Sequence, residues 1–242
     1  MPPPELMLVM PVYNEQASVR KVVLEWFQEI ETWTEDFIFL VIDDGSADGT
    51  ARILARLREQ LGPRLEVVTQ PNAGHGQTCL RGYRTALERG IPYLFQIDSD
   101  GQCDPQYFFR FWRARARFDV IYGVRVRRDD GWRRMAASMA VRAVLLLTAR
   151  TWCIDANVPY RLMRTAAVAA AVHRLPPAFD LANIGLAVLL RRDPSIREGR
   201  VRIRFRERYG GEPTVPVRQF QRKAVELIRD LRALLSPGPP PA

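Results

Sequence analysis

At 242 residues, 47% hydrophobic and 26% charged, the chain has the composition of a globular domain able to bury a sizeable core. Its 36 Lys and Arg against 27 Asp and Glu leave a net charge of +9, which suits anionic partners: nucleic acid, phosphorylated ligands or an acidic membrane face. Cys79, Cys103 and Cys153 are scattered without metal-ligand spacing, no basic leader precedes the first apolar stretch, and no run of about 18 apolar residues occurs; these features argue against a disulfide framework, a zinc site, a signal peptide and a membrane span.

The first half alternates between two periodicities. Residues 6–13 read as a buried strand, and 15–31 repeat apolar residues at helical spacing through Val19, Val22, Val23, Trp26, Phe27 and Ile30. A second strand is expected at 37–43, then a turn at 43–50 with Asp48 as N-cap of the next helix. A third strand at 65–70 leads through a Gly-containing loop into a helix ending near Arg89. Strands four and five are expected at 93–98 and 118–123. Continuous apolar strands separated by amphipathic helices predict an α/β fold, a mostly parallel sheet flanked by helices. Beyond residue 125 the pattern predicts helices at 131–152, 164–172, 179–192 and 217–235, with a basic alternating strand at 197–208. The ends are Pro-rich and read as extended or disordered.

Ligands of open α/β sheets bind beyond the carboxyl ends of the strands, and the acids collect there. "PVYNE" ends the first strand, Asp43 and Asp44 end the second, and Asp98 and Asp100 end the fourth. Two carboxylates one residue apart repel each other. They suit a divalent cation, Mg²⁺ or Mn²⁺, that also holds a diphosphate and stabilises its departure.

The ordered set "MPVYNE", "VIDDGSADGT", "NAGHGQ", "QIDSDGQCDP" and "DVIYGVR" resembles the family 2 glycosyltransferases of GT-A fold, in particular the dolichol-phosphate mannose synthase and polyprenyl-phosphate glycosyltransferase branch. The resemblance implies a nucleoside pocket lined by Pro11, Tyr13 and Glu15, with Asp44 at the base or ribose and Asp43 bracing its turn. It implies that Asp98 reaches the ribose or the metal, that Asp100 ligates the metal, and that Gln102 completes the metal shell. An acceptor-phosphate site is implied at Arg125, Arg134, Ser138 and Arg208, with Asp100, Arg125 and Arg208 carrying catalysis. Arg208 lies in an R-x-x-G-E sequence that closes over the diphosphate in the branch. His75 is close enough in sequence to the diphosphate loop to touch it.

Three departures stand out. Pro213 and Thr214 replace the branch's usual Ser and Lys, Val158–Pro159 interrupts a segment that is commonly Gly-rich, and Asn183 takes the place of the acid that serves as base in hydroxyl-glycosylating relatives. A hydroxyl acceptor must lose a proton as it attacks, whereas a phosphate is already anionic. Asn183 therefore favours a lipid-phosphate acceptor, and the expected reaction is inverting, metal-dependent transfer from a nucleotide-diphosphate sugar to a polyprenyl phosphate. The alternatives are a sugar hydroxyl or other soluble acceptor, with Asp155 or Asp180 as base, and a non-catalytic module binding nucleotide sugar or a membrane partner. No nucleic-acid-reading motif is present.

The expected organisation is a flexible start at 1–5, a GT-A domain at 6–212 with a nucleotide-binding half (6–125) and an acceptor half (126–212), an amphipathic helix at 213–235 and a Pro-rich tail at 236–242. A cytoplasmic protein peripheral to the membrane is expected, held on an anionic surface by the basic helix at 133–151 or 217–235, or by a membrane partner.

Overall fold

The computed structural model describes residues 2–125, 158–176, 179, 181–210 and 220–236. Strands β1 (Leu6–Val12), β2 (Phe37–Asp43), β3 (Leu65–Thr69), β4 (Tyr93–Gln96), β5 (Val120–Arg125), β6 (Arg161–Arg164) and β7 (Glu198–Ile203) form one sheet in the order β3-β2-β1-β4-β6-β5-β7. Its pairings are parallel except those of β6, which runs antiparallel to both β4 and β5. Parallel strands need crossover connections, and those leading from β1 through β5 carry α1 (Val19–Glu31), α2 (Thr50–Leu61), α3 (His75–Glu88) and α4 (Phe108–Ala114). Helices α5 (Thr165–Arg174), α6 (Ala182–Arg191) and α7 (Phe220–Leu235) follow.

The expected mostly parallel α/β fold is what forms, and its core explains why. Every residue of β1 is buried, as a strand covered on both faces requires. The stripe Val19, Val22, Val23, Trp26, Phe27 and Ile30 is the buried face of α1. On one side of β4, Trp26, Phe95, Phe108, Phe111 and Tyr160 pack ring against ring, with Phe111–Tyr160 centroids 4.9 Å apart and Phe95–Phe108 5.2 Å apart. Across the sheet α3 lies close on β1 because Gly82 has no side chain; a Cβ there would meet Val9 Cγ1 at 2.3 Å. Helix α7 docks through Leu227, Leu231 and Leu234.

Some local readings shift. The N-cap of α2 is Gly49, not Asp48, although Asp48 Oδ1 still accepts the Thr50 N–H at 2.9 Å. Strand β6 was not foreseen, since four residues with an arginine at each end carry no legible alternation. Residues 204–208 do not extend β7 but run on without regular structure. Glu5, expected at the flexible end, donates its N–H to Asp36 and accepts from Arg115 Nε at 3.2 Å. Among the described residues no helix is long and apolar enough to cross a membrane; the stretch 131–152 lies outside them.

Asp119 ties β5, β6 and the approach to β7 together. It accepts from Arg197 Nε and Nη2, each at 2.9 Å, and from the Arg197 N–H at 3.0 Å, with Arg164 Nε 3.6 Å away. The Arg197 side-chain hydrogen bonds hold the Asp119 pKa down at about 2. A depressed carboxylate pKa contributes stability above the unfolded value of 3.8, and that contribution is lost as pH falls through about 2. Asp119→Asn should therefore cost about 1 kcal/mol at pH 7, after allowing for solvent screening of the exposed Arg197. The gap from wild type in thermal melts should narrow as pH falls from 4 toward 2; a gap independent of pH would show that the charge is not what matters.

Candidate active site

The carboxyl ends of β1, β2 and β4 meet at one crevice, and hydrogen bonds between their loops set its shape. Asn14 takes up a left-handed φ of 53° and lets the chain turn sharply after Tyr13. Its N–H donates to Ser46 Oγ at 2.9 Å, and its Oδ1 accepts the Ala47 N–H at 2.8 Å. The Glu15 N–H donates to Thr50 Oγ1 and the Gly49 N–H to Gln16 Oε1, each at 2.9 Å. Tyr13 stays exposed at the rim.

The two acids after β2 divide the work. Asp43 Oδ1 accepts the Ser46 N–H at 3.1 Å, the expected brace. Asp44, expected at the nucleoside, is engaged by the protein itself. Its Oδ1 accepts from Gln70 Nε2 at 2.7 Å and the Ala73 N–H at 2.9 Å, and its Oδ2 from the Gly74 N–H at 2.9 Å. A carboxylate has about four acceptor positions, so one is left for a ligand.

After β4 the chain bends at Gly101, with φ 82°. Asp100 Oδ1 accepts the Gln102 N–H at 3.0 Å, which closes a local turn and aims its other oxygen elsewhere. Asp98 Oδ1 is buried and has no hydrogen-bond partner; His75 Nε2, at the start of α3, stands 3.6 Å away. Burial raises the Asp98 pKa from 3.8 to about 6, opposed by His75 and assisted by Asp100. His75 in turn is raised from 6.5 to about 10 by Cys79 and then by Asp98. A buried carboxylate oxygen without a partner is costly unless a cation serves it. Among the described residues no three His, Cys, Asp or Glu side chains group into a metal cage. Mg²⁺-type ions are commonly held by one or two carboxylates together with substrate phosphates, so Asp98, Asp100 and the Gln102 amide oxygen form a fitting donor set.

Arg208 brings the crevice together. Its Nη2 donates to Glu15 Oε1 at 2.5 Å and its Nη1 lies 3.7 Å from Asp100 Oδ2, so one guanidinium bridges the ends of β1 and β4. Glu15 is itself buried, with Oε2 accepting from Ser18 Oγ at 2.6 Å. The segment bearing Arg208 is strapped over the acid turn. The Arg206 N–H donates to Gln102 O and the Tyr209 N–H to Asp100 O, while Glu25 of α1 receives Arg206 Nη2 at 2.9 Å and Tyr209 OH at 3.1 Å. Lys21 Nζ covers the Tyr209 ring at 3.8 Å. Sequence reasoning missed this latch. Glu25 and Lys21 look like ordinary polar helix positions, and only the fold brings residues 181 apart into contact with them.

Arg125, at the end of β5, rests on Phe205 with its guanidinium carbon 5.0 Å from the ring centroid, and its charge opposes the rise in the Asp98 pKa. Arg134, Ser138, Asp155 and Asp180 lie outside the described residues. Asn183 is buried, its Oδ1 accepting from Tyr83 OH at 2.7 Å. Tyr83 OH also bonds Gln96, and Arg161, wholly buried, donates to Asn183 O at 3.3 Å and to Val158 O at 2.6 Å.

Acidic strand ends facing a crevice on this sheet define a nucleotide-diphosphate-sugar transferase fold of the GT-A type. Residues 7–169 match the family model described as Glycosyl transferase family 2, and the chain belongs to that family. It is similar to undecaprenyl-phosphate 4-deoxy-4-formamido-L-arabinose transferases from Edwardsiella ictaluri (strain 93-146), 26% identical over 172 residues, and Sodalis glossinidius (strain morsitans), 27% identical over 168 residues. Each match covers 69% of this chain and 51% of the relative, so the chain spans about half the length of the curated relatives it matches. Among solved structures, glucosyl-3-phosphoglycerate synthase from Mycobacterium tuberculosis in complex with Mn²⁺, UDP and phosphoglyceric acid superposes with a TM-score of 0.71 at 16% identity, covering 98% of this chain and 80% of that one. Mannosyl-3-phosphoglycerate synthase from Rubrobacter xylanophilus gives 0.65 at 16% identity, covering 96% and 74%. At that identity the likeness establishes the fold.

The strap depends on Gly101, where an added Cβ would lie 2.4 Å from Tyr209 Cδ2 in a backbone conformation that disfavours side chains. Gly101→Ala should cost about 1–3 kcal/mol and free the 204–210 strap while leaving the sheet folded. Unchanged melting and unchanged protease resistance around Tyr209 would show that the contact is dispensable.

Proposed function

We propose that this chain transfers a sugar, with inversion, from a nucleotide-diphosphate sugar to a polyprenyl phosphate, with a divalent metal held by Asp98, Asp100 and Gln102. The observation that carries the reading is the crevice where a partnerless buried carboxylate oxygen, a second acid and a bridging arginine converge from β1, β4 and the 204–210 segment. When bound, the metal supplies positive charge to the diphosphate as the sugar leaves.

The chain's own residues do the rest. Pro11, Tyr13 and Glu15 form the wall against which the nucleoside rests, and Asp44 keeps the 70–74 loop in place with one acceptor position to spare. Arg208 exchanges its carboxylate partners for phosphate oxygens, which its planar fork suits equally well. Arg125, with Arg134 and Ser138, orients the acceptor phosphate. An acceptor oxygen attacks the anomeric carbon from the side opposite the diphosphate, the carbon–oxygen bond to the leaving group breaks, and its electron pair stays on the diphosphate. No proton has to move. The buried amide of Asn183, already bonded to Tyr83, supports an acceptor that arrives as an anion. Orientation and leaving-group stabilisation supply the acceleration. The curated relatives' names point to the same acceptor class.

Calorimetric titration with UDP, GDP and their sugar conjugates, with Mn²⁺ or with chelator, tests the donor half. Binding should require metal and vanish in Asp100→Ala. In a transfer assay with a short polyprenyl phosphate, Asp100→Asn and Arg208→Gln should each lower turnover by about 100-fold or more. Full activity in Asp100→Asn would overturn the metal assignment. Transfer to a soluble sugar hydroxyl with none to the lipid phosphate would favour the alternative acceptor, with Asp155 or Asp180 as its base.

A further inference from the structure

Most arginines around the crevice and sheet have partners: Arg89 with Glu66, Arg191 with Glu198, Arg197 with Asp119, Arg206 with Glu25 and Arg208 with Glu15. Arg200, Arg202 and Arg204 are different. Arg200 and Arg202 lie on one side of β7 and Arg204 just past its end, all exposed, while Gly199 and Ile203 on the strand's other side are buried. Strand geometry sets Arg200 and Arg202 about 7 Å apart. None has an acidic partner among the described residues. β7 is also the sheet's outer strand, paired only with β5 among the described residues.

A charged residue on an edge strand discourages pairing with another chain. Three of the same sign repel one another, and charges of mixed sign would guard the edge without that cost. The direction of the row is informative too. Parallel register sets Ile203 opposite Arg125, and two residues past Arg204 the Arg206 N–H is bonded to Gln102 O. The positive row therefore runs along the edge toward the mouth of the crevice and ends beside the arginine assigned to the acceptor phosphate.

We propose that the β7 edge, through Arg200, Arg202 and Arg204, is the surface by which the protein docks on an anionic lipid bilayer, bringing the crevice to the level of the headgroup phosphates. This rests on the lipid-phosphate reading of the acceptor. A bilayer fits because the row is a run of exposed like charge, and each arginine near an anionic surface strengthens its attraction. These residues are other than those of the basic helices at 133–151 and 217–235 expected from the sequence.

The test is flotation of the full chain with phosphatidylcholine vesicles, with and without phosphatidylglycerol, at low and high salt. Wild type should bind only the phosphatidylglycerol vesicles, and less at high salt. The triple variant R200E/R202E/R204E should bind them about 100-fold more weakly. The control R52E/R56E/R58E changes three exposed arginines of α2, beside β3 at the opposite edge of the sheet, by the same charge and should keep most of the binding. The neutral triple R200Q/R202Q/R204Q, checked by melting, guards against misfolding and should also lose affinity. Equal loss in both charge-reversed triples, no loss in the β7 triple, or a β7 effect confined to RNA or DNA binding would overturn the proposal. UDP titration with Mn²⁺ on the same proteins separates the two readings. Failed donor binding with intact vesicle binding removes the enzymatic reading alone, and intact donor binding with unaltered flotation removes this one.

Discussion

Carboxylates from β1 and β4 share one crevice because a cation lies between them, and in this structure that cation is the Arg208 guanidinium. Glu15 is buried, Asp98 holds a partnerless oxygen, and Asp100 stands beside it; without positive charge their mutual repulsion would open the strand ends. Much of the local architecture serves to deliver that guanidinium. The 204–210 segment leaves β7, bonds back to the main chain of Asp100 and Gln102, and is fastened to α1 through Glu25 and Lys21. The absence of a side chain at Gly101 lets the Tyr209 ring close over the turn. The crevice is thus built as a cation site first, from residues nearly two hundred apart in sequence.

Rigidity behind the crevice comes from two sources of different kind. On one face, an aromatic cluster around Phe95 packs α1 and α4 against β4, and Tyr160 OH reaches Asp104 O at 2.9 Å to steady the chain just past the acids. On the loop side the 13–18 and 44–50 segments exchange several hydrogen bonds, each bracing the other. Loops ordinarily carry function at the expense of order. Here each functional loop is held by another one.

The parallel half of the fold was legible because its physical causes are local. Apolar runs, a 3.6-residue stripe on α1 and the acids at the ends of β2 and β4 all act within a few residues of one another. The position of the acids at the strand ends was legible for the same reason. What escaped depended on contacts made only after folding. Arg161 in β6 reads as one more surface arginine, yet it is wholly buried and donates to Val158 and Asn183 carbonyls. Asp44 reads as a ligand contact, and its oxygens are largely spent on the 70–74 loop. The latch at Glu25 has no sequence signature, since its partners Arg206 and Tyr209 lie 181 and 184 residues away. The shift of the α2 cap from Asp48 to Gly49 is a smaller instance: Asp48 keeps its hydrogen bonds but sits one residue too early to be the cap.

The buried polar chain beneath Asp98 bears on the chemistry as well as on stability. Tyr83 joins Gln96 of β4 to Asn183 of α6, and Arg161 lies alongside with its guanidinium also facing Tyr122. A network of this kind specifies one arrangement because every member that moved would leave a partner unsatisfied in a low-dielectric interior. An aspartate in place of Asn183 would bury a further negative charge and would leave Tyr83 to serve an anion instead of an amide. Asn183 accepts the same hydrogen bond without that charge. The residue that avoids the electrostatic conflict is also one that cannot take a proton from an incoming hydroxyl. The stability of the interior and the proposed acceptor, which arrives already charged, therefore call for the same side chain.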